Sequence, residues 1–164
     1  AHSTVTFEIN HFLTAVPGGF NTVSGDLNFD PDAPGESSIS MTVDVNSVDT
    51  DNEKRDAHLL SEDFFHADEF PQMTFTSTSW KKRGRSDYIV TGELTIRGQT
   101  RTIEVPVVHH GIMDNPFKEG GLITGFRAEF TINRTDFGVG TGSWAATAVV
   151  GDEVRILVSI EAVR

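Results

Sequence analysis

The chain has 164 residues, a length that fits one domain able to bury a substantial core. Asp and Glu number 24 against 13 Lys and Arg, so the net charge at pH 7 is −11. This acidity argues against binding to nucleic acid or to anionic membrane surfaces, because both need a basic face. The absence of Cys excludes disulfides, thiolate metal sites and a Cys nucleophile. No apolar run approaches the roughly 20 residues of a membrane span.

The strongest pattern in the sequence is an alternation of apolar and polar residues. In the first run, Val5, Phe7 and Ile9 share one face of a predicted strand, and polar residues occupy the other. Strands with one apolar face are typical of antiparallel sheets, so the pattern predicts an all-β fold. The eight runs lie at 4–10, 23–29, 39–45, 73–76, 88–96, 103–107, 126–132 and 154–160.

Turn-forming residues separate these runs. Gly, Pro and Asp supply the backbone conformations that tight turns require, so their clusters predict where the chain reverses. The predicted turns are at 17–19, 30–35, 81–86, 97–99 and 151–152.

One segment, at about 51–68, loses the alternation and predicts a short helical insert. Leu59, Leu60 and Phe64 recur there at helical spacing, and Ser61 is a candidate cap for a second short turn.

Eight one-sided strands can bury their apolar faces in a closed barrel or in two packed sheets. A barrel removes exposed edges, and eight strands leave an interior that is just filled or that holds one slender ligand. Gly25, Gly92 and Ala128 fall on inward positions and favour a partly empty interior. The alternative is that the two glycines permit bends in the strands.

An ordered set of motifs along the whole chain resembles the YceI-like polyisoprenoid-binding family. The motifs are an opening with His2-Ser3, Val5, Phe7 and His11, then Arg55-Asp56-x-His58-Leu59 running into Asp63-Phe64-Phe65, Phe70-Pro71-x-x-Thr74-Phe75, Gly92-x-Leu94-Thr95-Ile96-x-Gly98, Gly125-Phe126-x-Ala128, Ile132-Asn133-Arg134-x-Asp136-Phe137-Gly138, and Gly151-Asp152-x-Val154.

This resemblance implies an eight-stranded antiparallel lipocalin-like barrel that holds a long polyisoprenoid or other lipid chain in a central tunnel. It also implies export to the bacterial periplasm, or a place as one module of a larger secreted protein. The first residue, Ala1, is compatible with either origin.

The candidate ligand-binding residues are the inward strand positions together with three features at the ends of the barrel. His11 continues the inward parity of the first run and is predicted at a mouth of the barrel, where it could contact a head group. Leu60 and Phe64 are predicted to plug or gate one end, and Trp144 to cover lipid from a lid at 138–144. The full set is Phe7, His11, Leu27, Met41, Val43, Leu60, Phe64, Met73, Phe75, Leu94, Val105, Phe126, Ala128, Phe130 and Trp144.

The histidines do not predict a metal site. His109 and His110 are adjacent, so in a strand their rings point to opposite faces. His58 and His66 are eight residues apart, which is too far for one helical turn.

A catalytic reading of Arg55, Asp56 and His58 is weaker than a structural one, because no nucleophile motif accompanies them. They are predicted to form a helix cap and ion-pair cluster. Arg134 and Asp136 are predicted to anchor the turn before Phe137.

The sequence is therefore interpreted as a single domain, 1–164, that is not an enzyme and requires no cofactor beyond its bound lipid. The predicted ligand is an isoprenoid quinone such as ubiquinone, or a polyprenyl phosphate, and the predicted role is carrier, sink or redox-lipid module. The alternatives are an enzyme acting on a lipid-like substrate in the same cavity and a structural or interaction β-domain with a filled core. The expected location is periplasmic or secreted, with no nucleic-acid partner and no integral membrane segment. The sequence does not determine the oligomeric state, and a homodimer that encloses the mouths of the barrel is one alternative.

Overall fold

The computed structural model describes residues 2–145 and 148–164, which form ten β-strands and one α-helix. The strands are β1 (His2–His11), β2 (Thr14–Phe20), β3 (Val23–Asn28), β4 (Ser38–Asp44), β5 (Val48–Asp49), β6 (Gln72–Lys82), β7 (Asp87–Ile96), β8 (Gln99–Asp114), β9 (Leu122–Asn133) and β10 (Val150–Val163). The helix α1 (Glu53–Leu60) follows β5, and short 3₁₀ turns follow β4 and β9.

All ten strands belong to one antiparallel sheet in the order β3-β4-β6-β7-β8-β9-β10-β1-β2-β5. The sheet curls into a half-barrel, and this brings β3 close to β1 without a ladder of hydrogen bonds between them. The predicted all-β antiparallel fold is confirmed. None of the described helices is long and apolar enough to cross a membrane.

The register of the strands places the predicted apolar positions on one face. Phe7 lies opposite Ile156, and Ile156 lies opposite Phe130 on the next strand. Directly paired residues share a face of the sheet. Once the inward residues of one strand are known, the pairing therefore identifies the inward residues of its neighbours. The concave side of the half-barrel is therefore apolar.

The predicted count of eight strands is wrong, because β2 and β5 were not foreseen. β2 contains Pro17, Gly18 and Gly19, which suggested a turn. In the structure Gly18 lies opposite Phe7, and a Cβ at Gly18 would overlap the Phe7 ring. Glycine therefore makes room for a neighbouring ring within a strand, a role that a turn signal does not reveal.

The helical insert at 51–68 is shorter than predicted. The side chain of Asn52 accepts a hydrogen bond from the backbone N–H of Arg55 and begins α1, which ends at Leu60. The predicted second turn follows Ser61, whose carbonyl accepts a hydrogen bond from the N–H of Phe64 at 3.0 Å. The side chain of Ser61 does not cap this turn, because its hydroxyl donates back to the carbonyl of His58 at 2.6 Å, at the carboxyl end of α1. Turns continue from there to residue 69.

The buried side chains form two clusters along the barrel. The first includes Phe20, Val45, Phe64 and Phe137 and lies under α1 and the turn after β9. The second includes Trp80, Tyr88, Val90, Val105 and Phe126. A cavity extends from one cluster to the other, since both contribute to its walls.

Candidate apolar binding site

The cavity has a volume of about 560 Å³, which is within the usual range of roughly 300–1,000 Å³ for small-molecule sites. Its walls are the inward faces of the strands, and on β10 they run from Val150 to Ile160. At about 3.3 Å per residue, this stretch of strand is roughly 33 Å long. The site is therefore elongated, with an apolar wall along its length.

Thirteen of the fifteen candidate residues line this cavity. Twelve of the fifteen, including His11, were predicted because they occupy inward positions of the alternating runs. The other three, Leu60, Phe64 and Trp144, were predicted from the helical insert and the lid. The thirteen are Phe7, His11, Met41, Val43, Phe64, Met73, Phe75, Leu94, Val105, Phe126, Ala128, Phe130 and Trp144. Contact of these residues with a ligand stays a prediction.

Leu27 and Leu60 do not line the cavity, which corrects the prediction for both. Leu27 lies on β3, at one end of the sheet order, and packs against the cluster that contains Trp80. Leu60 is the last residue of α1 and packs against the cluster that contains Phe20 and Phe64. Both side chains therefore support the wall from behind, and only Phe64 of the predicted plug reaches the cavity.

Gly25 and Gly92 do not open the interior, although the sequence favoured that reading. A Cβ at Gly92 would lie 2.5 Å from the ring carbon Cζ of Phe75, so the ring already fills that space. A Cβ at Gly25 would overlap the carbonyl oxygen of Ser40 on the paired strand. Both glycines permit close approach of neighbours, while Ala128 does border the cavity.

Exposed polar residues mark the mouth of the cavity. Asn10 and His11 from the end of β1, and Lys54 and Arg55 from α1, line the cavity and are exposed to solvent. Val150, at the start of β10, is paired with His11. The mouth therefore lies at the end of the barrel where β1 ends and β10 begins.

Three aromatic rings meet at this mouth. The ring centroid of His58 lies 5.1 Å from that of Phe64 and 4.9 Å from that of Trp144, in edge-to-face contacts. Phe64 and Trp144 lie 5.7 Å apart. His58 Nε2 is also 2.8 Å from a carboxylate oxygen of Asp63. All three rings line the cavity, so this cluster is part of its rim.

The buried guanidinium of Arg134 positions the segment that carries Trp144. Only 4% of Arg134 is exposed, and burial lowers its pKa while the neighbouring carboxylate of Asp152 opposes that shift. Its N–H groups donate to the carbonyls of Gly151 at 2.8 Å, Val139 at 2.9 Å, Gly140 at 2.5 Å, Trp144 at 2.9 Å and Val150 at 3.1 Å, and to Asp152 Oδ1 at 3.3 Å.

The segment at 138–144, which was predicted to be a lid, is thus a strap that hydrogen bonds tie to the barrel. In addition to Arg134, the carbonyl of Asp63 accepts a hydrogen bond from the N–H of Gly140 at 3.0 Å. Gly140 has φ of +69°, and a Cβ there would lie 2.5 Å from a guanidinium nitrogen of Arg134. Glycine is required at this position by both its conformation and its contacts.

Arg55 and Asp56 share one partner, Thr50. Asp56 Oδ1 accepts hydrogen bonds from the N–H of Thr50 at 3.0 Å and from its hydroxyl at 2.5 Å. Arg55 donates to the Thr50 hydroxyl at 2.7 Å and to its carbonyl at 2.6 Å. These contacts join α1 to the chain just after β5, which is a structural use of both residues.

The described residues contain no group of three or more His, Asp or Glu side chains that could hold a metal ion. His109 is half-buried and His110 is exposed, and the register between β8 and β9 shifts between His109 and Gly111. His109 stacks on Phe126 at a centroid distance of 4.8 Å and lies 2.9 Å from the hydroxyl of Thr124. Burial lowers the pKa of His109; a hydrogen bond involving the backbone of Gly111 raises it, and the charge of His110 lowers it further.

The inner end of the cavity is closed by an aromatic cluster of Phe29, Trp80, Tyr88, His109 and Phe126. Trp80 and Phe126 line the cavity, and the other three pack behind them. Phe29 is central, with ring centroids 5.6 Å from Trp80, 5.6 Å from Tyr88 and 4.9 Å from Phe126. The contacts of Phe29 with Tyr88 and Phe126 are edge-to-face, an arrangement that stabilises more than area burial alone.

Several wall residues were missed by the sequence analysis. Val16 and Phe20 were missed because β2 was taken for a turn, and Trp80 because it lies beyond the predicted fourth run. Val154 and Ile156 were assigned to a strand but were not proposed as site residues. The alternation of apolar and polar residues in the last run already places Val154 and Ile156 on its inward face, so it could have identified both as wall residues.

Comparisons with known proteins identify the family. The model of the YceI-like domain matches residues 1–162. The chain belongs to the YceI-like family. It is 37% identical over 164 residues to a UPF0312 protein of Pectobacterium carotovorum, with 99% of this chain and 82% of that protein covered.

Two solved structures support the same assignment of fold. BcnA of Burkholderia cenocepacia superposes with a TM-score of 0.88 at 33% identity, covering 98% of this YceI-like chain and 96% of BcnA. A polyisoprenoid-binding domain from Saccharophagus degradans, implicated in plant cell wall breakdown, superposes with a TM-score of 0.67 at 14% identity, covering 97% and 92%. At that identity the second likeness shows the fold alone.

Proposed function

We propose that this protein is a non-enzymatic carrier or sink that binds the chain of a polyisoprenoid lipid in its cavity. The observation that carries the proposal is the elongated apolar cavity between the mouth and the inner aromatic cluster. The polyisoprenoid-binding domain of Saccharophagus degradans, which shares the fold, supports the ligand class. A filled core would leave no such cavity, so the alternative of a filled β-domain disagrees with the structure.

The energetics favour a long apolar chain as the occupant. Each buried methylene contributes roughly 0.8 kcal/mol, so a chain of many carbons binds through apolar contact alone after ordering costs are met. The polar rim residues lie at one end of the cavity. We propose that the head group of the lipid, an isoprenoid quinone or a polyprenyl phosphate, lies at this rim near His11.

A carrier of this kind suits an aqueous compartment between membranes, and we propose a periplasmic or secreted location. A quinone ligand would also permit a role as a redox-lipid module. Reduction of the bound quinone without its release from the protein would support that role, and release on every reduction would contradict it.

An enzyme acting on a lipid-like substrate remains the second candidate, because Arg55 and His58 line the cavity. Arg55 and Asp56 are, however, engaged with Thr50, and His58 with Asp63. A turnover activity that is lost in a folded His58→Ala variant would favour the enzyme.

The first test is native mass spectrometry of the purified protein, followed by organic extraction and lipid analysis. A stoichiometric added mass of a polyprenyl quinone or polyprenyl phosphate would establish the carrier and identify the head group. A ligand-free protein that takes up neither lipid when it is supplied would overturn the proposal.

The matched variants are Ala128→Trp and Thr131→Trp, both on β9. Ala128 borders the cavity, whereas Thr131 faces solvent. We expect Ala128→Trp to abolish lipid uptake and Thr131→Trp to leave it unchanged, with circular dichroism showing that both are folded. If Ala128→Trp does not fold, Ala128→Phe provides a smaller obstruction at the same wall. Unchanged uptake in the folded Ala128 variant would contradict this location.

A further inference from the structure

The hairpin between β1 and β2 carries an apolar tip at the mouth of the cavity. Phe12 and Leu13 form this two-residue tip, and they are 64% and 100% exposed. The preceding residue, His11, lines the cavity. Two neighbouring apolar side chains therefore extend into solvent beside the entrance to an apolar site.

The Phe12 ring packs edge-on against the ring of its neighbour His11, with centroids 4.7 Å apart, but the folding of the hairpin does not require an aromatic residue at Phe12. Its φ is +52°, a left-handed conformation that Gly, Asn or Asp adopts more readily than a bulky residue. Glycine is the usual residue at the first position of a two-residue hairpin turn with a positive φ. The sequence thus keeps an aromatic residue at a position that both turn geometry and solvent exposure disfavour, which is a feature associated with functional sites.

Other residues at the same mouth have the composition of a membrane interface. The half-buried Trp144 lines it, and tryptophan concentrates where apolar and polar phases meet. Lys54 also lines the mouth and is exposed, so its ammonium can reach a lipid phosphate while its stem stays near apolar groups.

From these features we infer that the mouth docks on a phospholipid bilayer, with Phe12 and Leu13 inserted among the acyl chains. The inference rests on the proposed function, because a polyisoprenoid chain is held in membranes and must leave or enter through this opening. The net charge of −11 disfavours anionic surfaces, so the preferred partner is a zwitterionic bilayer.

The size of the tip favours a bilayer over a second copy of the chain. One exposed aromatic side chain offers about 150–250 Å², while a standard protein interface buries about 800 Å² on each partner. Two side chains are too small to hold a stable dimer, but they suffice for shallow insertion at an interface.

The test is flotation of the full chain with phosphatidylcholine vesicles at 0.15 M salt. The tip variant is Phe12→Asn with Leu13→Ser, in which Asn suits the left-handed turn, so the fold is retained. The matched control is Met113→Ser with Phe117→Ser, which removes side chains that are 60% and 93% exposed at the opposite end of β10. We expect the tip variant to lower vesicle partitioning at least tenfold and the control to leave it unchanged.

A second readout separates this inference from the proposed function. Uptake of a polyprenyl lipid from detergent micelles tests the cavity alone and should be equal in all three proteins. No uptake by any protein would overturn the proposed function, whereas vesicle flotation would still report on docking. Wild-type protein that stays off the vesicles, equal flotation of the tip variant, or a tip variant that changes only the oligomeric state in sedimentation would each overturn the docking inference.

Discussion

The two ends of the cavity are built in different ways. At the inner end, rings from the sheet and from Phe29 pack against one another, and the contacts are almost entirely apolar. At the mouth, a strap and α1 are held by hydrogen bonds that Arg134 and Arg55 donate and that Asp56 accepts. Apolar packing closes one end, while directional bonds hold separate segments around an opening. This difference predicts that stability and ligand exchange respond to different substitutions.

The largest expected effect is at Arg134. Replacing it by Ala leaves the carbonyls of Val139, Gly140 and Val150 without their donor, and we expect the free energy of unfolding to fall by about 3–5 kcal/mol. Urea denaturation measures this change. Arg155→Ala is the control, because its ion pairs with Glu8 and Glu129 are exposed and contribute less than about 1 kcal/mol. Equal effects of the two substitutions would contradict a special role for Arg134.

A smaller loss of stability is expected at the inner end. Phe29→Ala removes the ring that contacts Trp80, Tyr88 and Phe126, and since Phe29 is only half-buried we expect a loss of about 2–3 kcal/mol. Lipid affinity should stay within about threefold, because Phe29 does not line the cavity. Urea denaturation and a lipid titration measure the two quantities. Phe117→Ala, at an exposed position, serves as the control. If Phe29→Ala lowers lipid affinity strongly and stability only slightly, Phe29 contacts the lipid and does not mainly support the fold.

At the mouth, Trp144→Ala should affect exchange more than stability. The ring contacts His58 and Phe64 at the rim, so its removal widens the exit. We expect roughly tenfold faster lipid release in stopped-flow measurements. The free energy of unfolding should fall by about 1–2 kcal/mol, less than at Phe29, because the Trp144 ring has fewer aromatic neighbours. Trp144→Phe should behave nearly as wild type because it keeps a ring there. An unchanged release rate in the Ala variant would mean that the ring does not limit exit.

The smallest expected effect is the pH dependence contributed by His109. Because burial lowers its pKa in the folded protein, the unfolded chain binds more protons as the pH falls below the ordinary value of 6.5. His109 therefore favours folding above pH 6.5, and this contribution is lost as the pH falls through the folded pKa. We expect unfolding free energies at pH 7.5 and 5.0 to differ less in His109→Gln than in wild type. His110→Gln, at an exposed position, should retain most of the wild-type difference, because the charge of His110 is the smallest of the causes that shift the pKa of His109. The same pH response in both variants would contradict the assignment.

Strand parity explains why so much of the site could be predicted. Val105, Phe126 and Ala128 were placed on the inner wall because alternate residues of a strand share a face, and pairing extends that face across the sheet. The same reasoning misplaced Leu27, since a strand at one end of the sheet order packs beside the cavity and not around it. The alternation of residues along a strand determines which side of the sheet a side chain lies on, but not how far that side chain is from the cavity.

The sequence by itself determined the antiparallel all-β class, the apolar face of each long strand, the position of the helical insert and, through its motifs, the resemblance to the YceI-like family. Those features depend on local periodicity and on residues near one another in the chain. Only the tertiary structure decided that Gly18 belongs to a strand, that Gly92 yields its space to Phe75, and that Arg134 holds the strap at the mouth. These outcomes depend on which distant groups meet in space, and a buried glycine or arginine is defined by the neighbours that the completed fold brings to it.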